Sequence, residues 1–214
     1  MLLVPLFVAA TVIDVQWPMI LACPRVSAPN ATKGTGVVIG VKDGFAYLLT
    51  ASHVAPYDGV EVAFTSRAEY PRVAWVERAA VVARWPDPDL ALARFPVGKH
   101  AVSVLPLAPA WERPKSFPVP AATVGIGGRD ASTVLTDTIR AKEFVTREGK
   151  QPAFFWQTVT PPESGRSGGP LLDTRGRVIG IAIAARGGSG YYAHHDEILA
   201  ALKRDGYGFL VPGR

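Results

Sequence analysis

No apolar run in this chain is long, because helix and strand breakers recur along its whole length. The sequence holds 21 glycines and 19 prolines among 214 residues, and they are spread throughout rather than gathered in a tail. Between them lie apolar stretches of strand length, many rich in Val, Ile, Phe and Tyr. Glycine and proline weaken helix interiors, whereas short β-rich runs between breakers read as strands joined by turns. The predicted fold class is therefore all-β.

The first half offers candidate strands at 20–26, 36–41, 45–51, 59–65, 70–77, 79–85, 90–95 and 102–108. The "KDG" between the second and third is a hairpin signal. A Pro-rich stretch, "APAWERPKSFPVP" (108–120), interrupts the pattern. It restarts with "AATVGIG", "TVLTDTIRAKEFVT", "PAFFWQTVT", "PLLD", "RVIGIAIAA" and "GYYAH", the "TRG" before "RVIG" marking another hairpin. Only 195–206 has helical periodicity, with Ile198, Leu199 and Leu202 on one face and Gly206 as a natural stop. Two runs of about six strands at barrel-like spacing predict two antiparallel β-barrels and a C-terminal α-helix. The expected organisation is a possible leader at 1–16, an N-terminal barrel at 17–110, a linker at 111–120, and a C-terminal barrel plus helix at 121–214.

Composition removes several functions. Net charge is a modest +5 with no basic run, so a solvated surface is expected and no nucleic-acid partner. The single cysteine, Cys23, allows no intrachain disulfide, and His194 and His195 are adjacent rather than spaced to share a metal. No cofactor and no metal are expected. Asp14 and two prolines interrupt the apolar N-terminus, which argues against a membrane span. The first residues suit an export leader that lacks early basic residues. Placement outside the cytoplasm, periplasmic or extracellular, is expected, with a cytoplasmic location as the other reading.

The stretch "ESGRSGGPLLD" (163–173) surrounds Ser167 with glycines. Alone it reads first as a turn, and otherwise as a nucleophile whose neighbouring amides must face a substrate oxygen. A serine nucleophile needs a base, and the base needs an orienting acid. "LLTASHVA" places His53 directly after an apolar strand, and "DPDLALARF" places Asp89 directly before one. Each is an ordinary structural residue when taken alone. The chain order His53, Asp89, Ser167 matches one known serine-hydrolase arrangement.

These stretches carry a family resemblance. "TASHV", "DPDLAL" and "GRSGGPL" resemble the three signature stretches of trypsin-like serine proteases of the chymotrypsin clan. "GTGVVIG" (34–40) is similar to the opening strand of bacterial, disulfide-free, HtrA-like forms, and no PDZ-like segment is expected here. The resemblance spans about 34–202. It implies two six-stranded barrels with a cleft between them and a protein or peptide substrate. It also implies a nucleophile Ser167, a base His53, an orienting Asp89, and an oxyanion hole from the Gly165 and Ser167 amides. Where most relatives carry Asp or Asn before the serine, this chain has Arg166, expected to pair with an acid such as Glu163. Pro161 stands where trypsin carries its specificity acid, and "IAIAA" (181–185) is the expected wall strand, so small apolar side chains are the expected P1 group.

Two other readings compete. "GRSGG" fits the nucleophile elbow of α/β-hydrolases, but the required preceding strand and following helix are missing from the local sequence. A catalytically silent peptide-binding module with a collapsed oxyanion loop is the more serious rival, motivated by Arg166.

Overall fold

The computed structural model describes residues 16–30, 33–128 and 131–213. The expected leader at 1–16 lies, but for its last residue, outside the described residues. Twelve strands form two closed antiparallel barrels. The first comprises β1 (Arg25–Ser27), β2 (Gly34–Lys42), β3 (Phe45–Ala51), β4 (Gly59–Phe64), β5 (Trp75–Trp85) and β6 (Leu90–Pro96), in the order β1-β2-β3-β6-β5-β4. The second comprises β7 (Val119–Gly125), β8 (Thr133–Val145), β9 (Ala153–Thr158), β10 (Pro170–Leu172), β11 (Val178–Arg186) and β12 (Ser189–His194), in the order β10-β11-β12-β9-β8-β7. Closure pairs each strand with a neighbour on both sides around either ring.

The expected β2–β3 hairpin forms, with Asp43 and Gly44 both at positive φ, as a tight two-residue turn requires. Inward residues such as Leu48, Val62, Phe64 and Phe95 fill the first barrel, and Ile139, Trp156, Leu171 and Tyr192 fill the second. Register shifts between Val38 and Gly40 in β2, Val81 and Ala83 in β5, and Ile139 and Ala141 in β8 mark bulges, which add the bend that a small barrel needs.

Three expected strands differ. Residues 16–21 are helical, so only Arg25 and Val26 of the expected 20–26 strand enter a ladder, as the start of β1. The 70–74 part of 70–77 is a turn, closed by Tyr70 N to Ser66 O (2.9 Å) and Arg72 N to Glu69 O (2.7 Å), and β5 absorbs the remainder together with 79–85. The 102–108 stretch is extended and carries the buried Leu105 and Leu107, but it joins no ladder as a strand. It makes isolated bonds to Val38 O and Val178, and Pro106 supplies no amide to extend the pairing.

The helix α1 (His195–Arg204) starts at a His194 cap, whose Nδ1 accepts from Asp196 N (2.9 Å). Asp196 and Glu197 sit in its first turn and Lys203 and Arg204 in its last, matching the helix dipole at both ends. It ends at Gly206 (φ 87°), where Tyr207 N bonds Leu202 O (2.8 Å) and Gly206 N bonds Lys203 O.

Candidate active site

Strand register builds the first half of the site. Ala51 of β3 is paired with Leu90 of β6, so the residues that follow one and precede the other emerge side by side. Ser52 N donates to Asp89 O (2.9 Å) and extends the ladder by one bond. The Asp89 carboxylate then binds His53 twice: Oδ1 accepts from the His53 amide (3.1 Å), and Oδ2 meets Nδ1 (2.8 Å). With Nδ1–H donated to the carboxylate, a neutral His53 carries its lone pair on Nε2. The His53 side chain is 40% exposed and that of Asp89 only 15%, so the acid lies beneath the ring that faces solvent. Asp89 sits at φ 59°, a left-handed conformation that Asp tolerates better than most residues.

The second half is a loop held from outside. Residues 163–166 form a turn closed by Arg166 N to Glu163 O (3.1 Å), with Gly165 at φ +89° in its third position, as a type II turn requires. Among the described residues, the amides of Gly165 and Ser167 donate to no protein acceptor. Thr35, fully buried at the start of β2, fastens the loop to the first barrel. Its amide binds Ser167 O (2.8 Å), and its hydroxyl donates to Gly165 O (2.8 Å) and accepts from Ile126 N (3.0 Å). Gly168 (φ +85°) fits because a Cβ there would strike Thr35 O and Thr50 Oγ1. Those contacts bring Ser167 beside the end of β3, and a Cβ on Gly34 would meet both Val54 and Ser167 O. No hydrogen bond joins the Ser167 hydroxyl to His53 among the described residues; His53 is bonded to Asp89.

Arg166 does not form the expected salt bridge with Glu163. Its guanidinium turns into the second barrel, where the residue is 2% exposed. Nη1 donates to Gly125 O (3.0 Å) and Thr133 Oγ1 (3.1 Å), and Nη2 to Thr123 O (3.0 Å), Thr123 Oγ1 (2.9 Å) and Thr133 O (3.3 Å). Burial pulls its pKa below the usual arginine value, and the electrostatic influence of Tyr192 and Glu163 opposes that shift. An arginine stays charged in such a site, and hydrogen bonds to oxygen on both nitrogens are what make the buried charge tolerable.

Thr35 and Arg147 escaped the sequence reading of the site. Thr35 lies within the "GTG" of the resembling opening strand, so a signal existed for it. Arg147 Nη1 lies 3.5 Å from Asp89 Oδ2, and its position in the polar turn after β8 gave no hint of this. Beside it opens a cavity of about 320 Å³ whose walls include Val145, Arg147, Phe155, Ile183, Ala184 and Tyr191, so the expected wall strand contributes. Pro161 lines a different cavity of about 280 Å³ with Asp137 and Glu163.

Known proteins agree with this architecture. The trypsin-like peptidase domain family matches residues 34–181. Among solved structures, the Rv3671c protease of M. tuberculosis in its active form superposes with a TM-score of 0.72 at 22% identity, over 95% of this chain and 87% of that one. Deg5 gives 0.72 at 17% identity, over 92% and 94%. The serine endoprotease of Yersinia pestis gives 0.68 at 22% identity, over 90% and 65%. At such identities the likeness shows a shared fold. No curated protein matches the chain. The family match covers most of the sequence, including the larger part of each barrel and all three signature stretches, and the chain belongs to the trypsin-like peptidase domain family.

Proposed function

We propose that the chain is a serine endopeptidase in which Ser167 attacks the scissile carbonyl and His53 Nε2 takes its proton. Asp89 holds the imidazole by Nδ1 and stabilises the imidazolium, which then protonates the leaving amine. An acyl-enzyme forms on Ser167 and water releases it by the same steps in reverse order. The observation that carries this reading is the pair of hydrogen bonds between the Asp89 carboxylate and His53, with the ring contact at 2.8 Å. It leaves Nε2 as the basic nitrogen on an exposed ring beside the 163–169 loop.

The unclaimed amides of Gly165 and Ser167 support an oxyanion hole in the resting protein. Donors of this kind are worth about 10²–10³ each in rate. The buried Arg166 supports independence from a new N-terminus, because the loop is anchored by neutral oxygens rather than by an acid awaiting a partner. Beyond Ala182, β11 pairs only with β12, which leaves its other edge open to an extended peptide. Ile183 and Ala184 on that edge favour small apolar P1 side chains.

Fluorophosphonate labelling tests the reading. Wild type should be labelled, and Ser167→Ala and His53→Ala should not. A folded wild type that stays unlabelled would favour the silent peptide-binding module, for which the missing bond between the Ser167 hydroxyl and His53 is the supporting observation.

A further inference from the structure

The turn between β8 and β9 belongs to the second barrel but grips a loop of the first. Arg147 Nη2 donates to the carbonyls of Pro86 (3.1 Å) and Asp87. Nη1 lies 3.5 Å from Asp89 Oδ2. Gln151 N donates to Asp87 Oδ1 (2.9 Å), and Lys150 N closes the turn onto Arg147 O (3.0 Å). The guanidinium also packs over the Phe155 ring, 5.5 Å from its centroid. Every one of these contacts on 86–89 comes from residues 147–151. The segment they hold ends in Asp89, whose left-handed backbone needs support from its surroundings.

Asp89 Oδ2 therefore has two partners on opposite barrels: the His53 ring at 2.8 Å and Arg147 at 3.5 Å. Exposed ion pairs contribute little to stability. This one lies on a carboxylate that is 15% exposed, and the same guanidinium binds two backbone carbonyls of the loop that carries it. Its effect falls on geometry: it fixes the direction of the carboxylate, and the carboxylate fixes the ring.

We propose that Arg147 is a positioning residue, which clamps the 86–89 loop and the Asp89 carboxylate across the barrel junction and thereby sets the orientation of His53. The inference rests on the reading of His53, Asp89 and Ser167 as the proton-transfer unit. A misplacement of about 1 Å in such a unit costs up to about 100-fold in rate.

The test compares wild type with Arg147→Met, Arg147→Lys and Arg140→Met, the last an exposed arginine on β8. Two quantities are measured: the fluorophosphonate labelling rate at saturating probe, and the low-field proton NMR signal of the His53 Nδ1–H. Thermal melting confirms folding. Arg147→Met should label about 10- to 100-fold more slowly, with a displaced His53 signal. Arg147→Lys keeps the charge but loses the fork, so it should fall between Arg147→Met and wild type. Arg140→Met should match wild type in both. A folded Arg147→Met with wild-type labelling and an unmoved signal overturns the inference and leaves the protease reading intact. If Arg147→Met does not fold, Arg147→Lys decides, and wild-type behaviour there overturns the inference. An unlabelled wild type removes the proton-transfer reading, and the inference falls with it.

Discussion

The two barrels share an architecture but build their halves of the cleft by different means. The first delivers His53 and Asp89 through the pairing of β3 with β6, so the acid meets the ring where the ladder runs out. The second delivers Ser167 on a loop whose shape depends on two side-chain anchors: Thr35 across the junction and the loop's own Arg166 folded down into the barrel. Strand register is set by many bonds at once and is hard to shift. A loop held by two anchors depends on each of them.

Changes on either side of the cleft can break this contrast at its strongest point. Ser167→Ala and His53→Ala should each abolish labelling, a loss on the order of 10⁶ in turnover if residual catalysis follows other serine proteases, with unchanged melting. The Arg166 anchor comes next. Arg166→Met strips the donors from Thr123, Gly125 and Thr133 and should destabilise the protein by about 3–5 kcal/mol in urea titrations. It should also slow labelling more than any exposed substitution on the first barrel other than one at His53. If Arg166→Met is as stable and active as wild type, the loop does not depend on its anchors and the contrast fails.

A smaller effect comes from pH. His194 caps α1 with Nδ1 as an acceptor, lies against the Trp156 ring (3.9 Å between centroids), and is fully buried. Burial, with Lys142 nearby, holds its pKa down at about 3, and burial lowers that of His195 as well. Above the unfolded value of about 6.5 both states are neutral and the residue adds no pH dependence. As pH falls below 6.5 the unfolded chain takes up the proton and the folded one does not. Stability should therefore drop by up to about 1.4 kcal/mol per unit towards pH 3. His194→Asn keeps a helix cap and should flatten that slope in melts run against pH. The mildest change is Thr35→Val, which keeps the shape, removes both hydroxyl bonds and leaves Ile126 N unpaired. A loss of about 1–3 kcal/mol is expected from calorimetry, with slower labelling.

The same contrast separates what the sequence disclosed from what it hid. Hairpins such as 36–51 were legible because alternation and the turn residues act within a few positions. His53 and Asp89 were legible as motifs, each placed at the end of a strand that could be recognised. The direction of Arg166 was not, since a charged residue in a Gly/Ser loop reads as solvent-facing until Thr123, Gly125 and Thr133 supply its oxygens. Arg147 was equally silent, because its partners at Pro86, Asp87 and Asp89 lie in the other barrel. The 102–108 stretch misled for a related reason: buried alternation with Leu105 and Leu107 looks like a strand, although no neighbour continues the ladder.

The far end of α1 bears on the order in which the molecule is assembled during synthesis. The helix packs on β9, β11 and β12 of the second barrel with Ile198 and Leu202 buried, and the residues after it reach back to the first. Asp205 accepts from Trp85 Nε1 (2.6 Å), Tyr207 donates to Val82 O (3.2 Å), and Phe209 sits edge-on to Tyr47 (5.2 Å). A nascent chain stopped before residue 195 holds all twelve strands but lacks this strap. The two barrels gain this fastening only after residue 209 has left the ribosome, so it is added to the Thr35 and Arg147 contacts after both halves of the cleft are made.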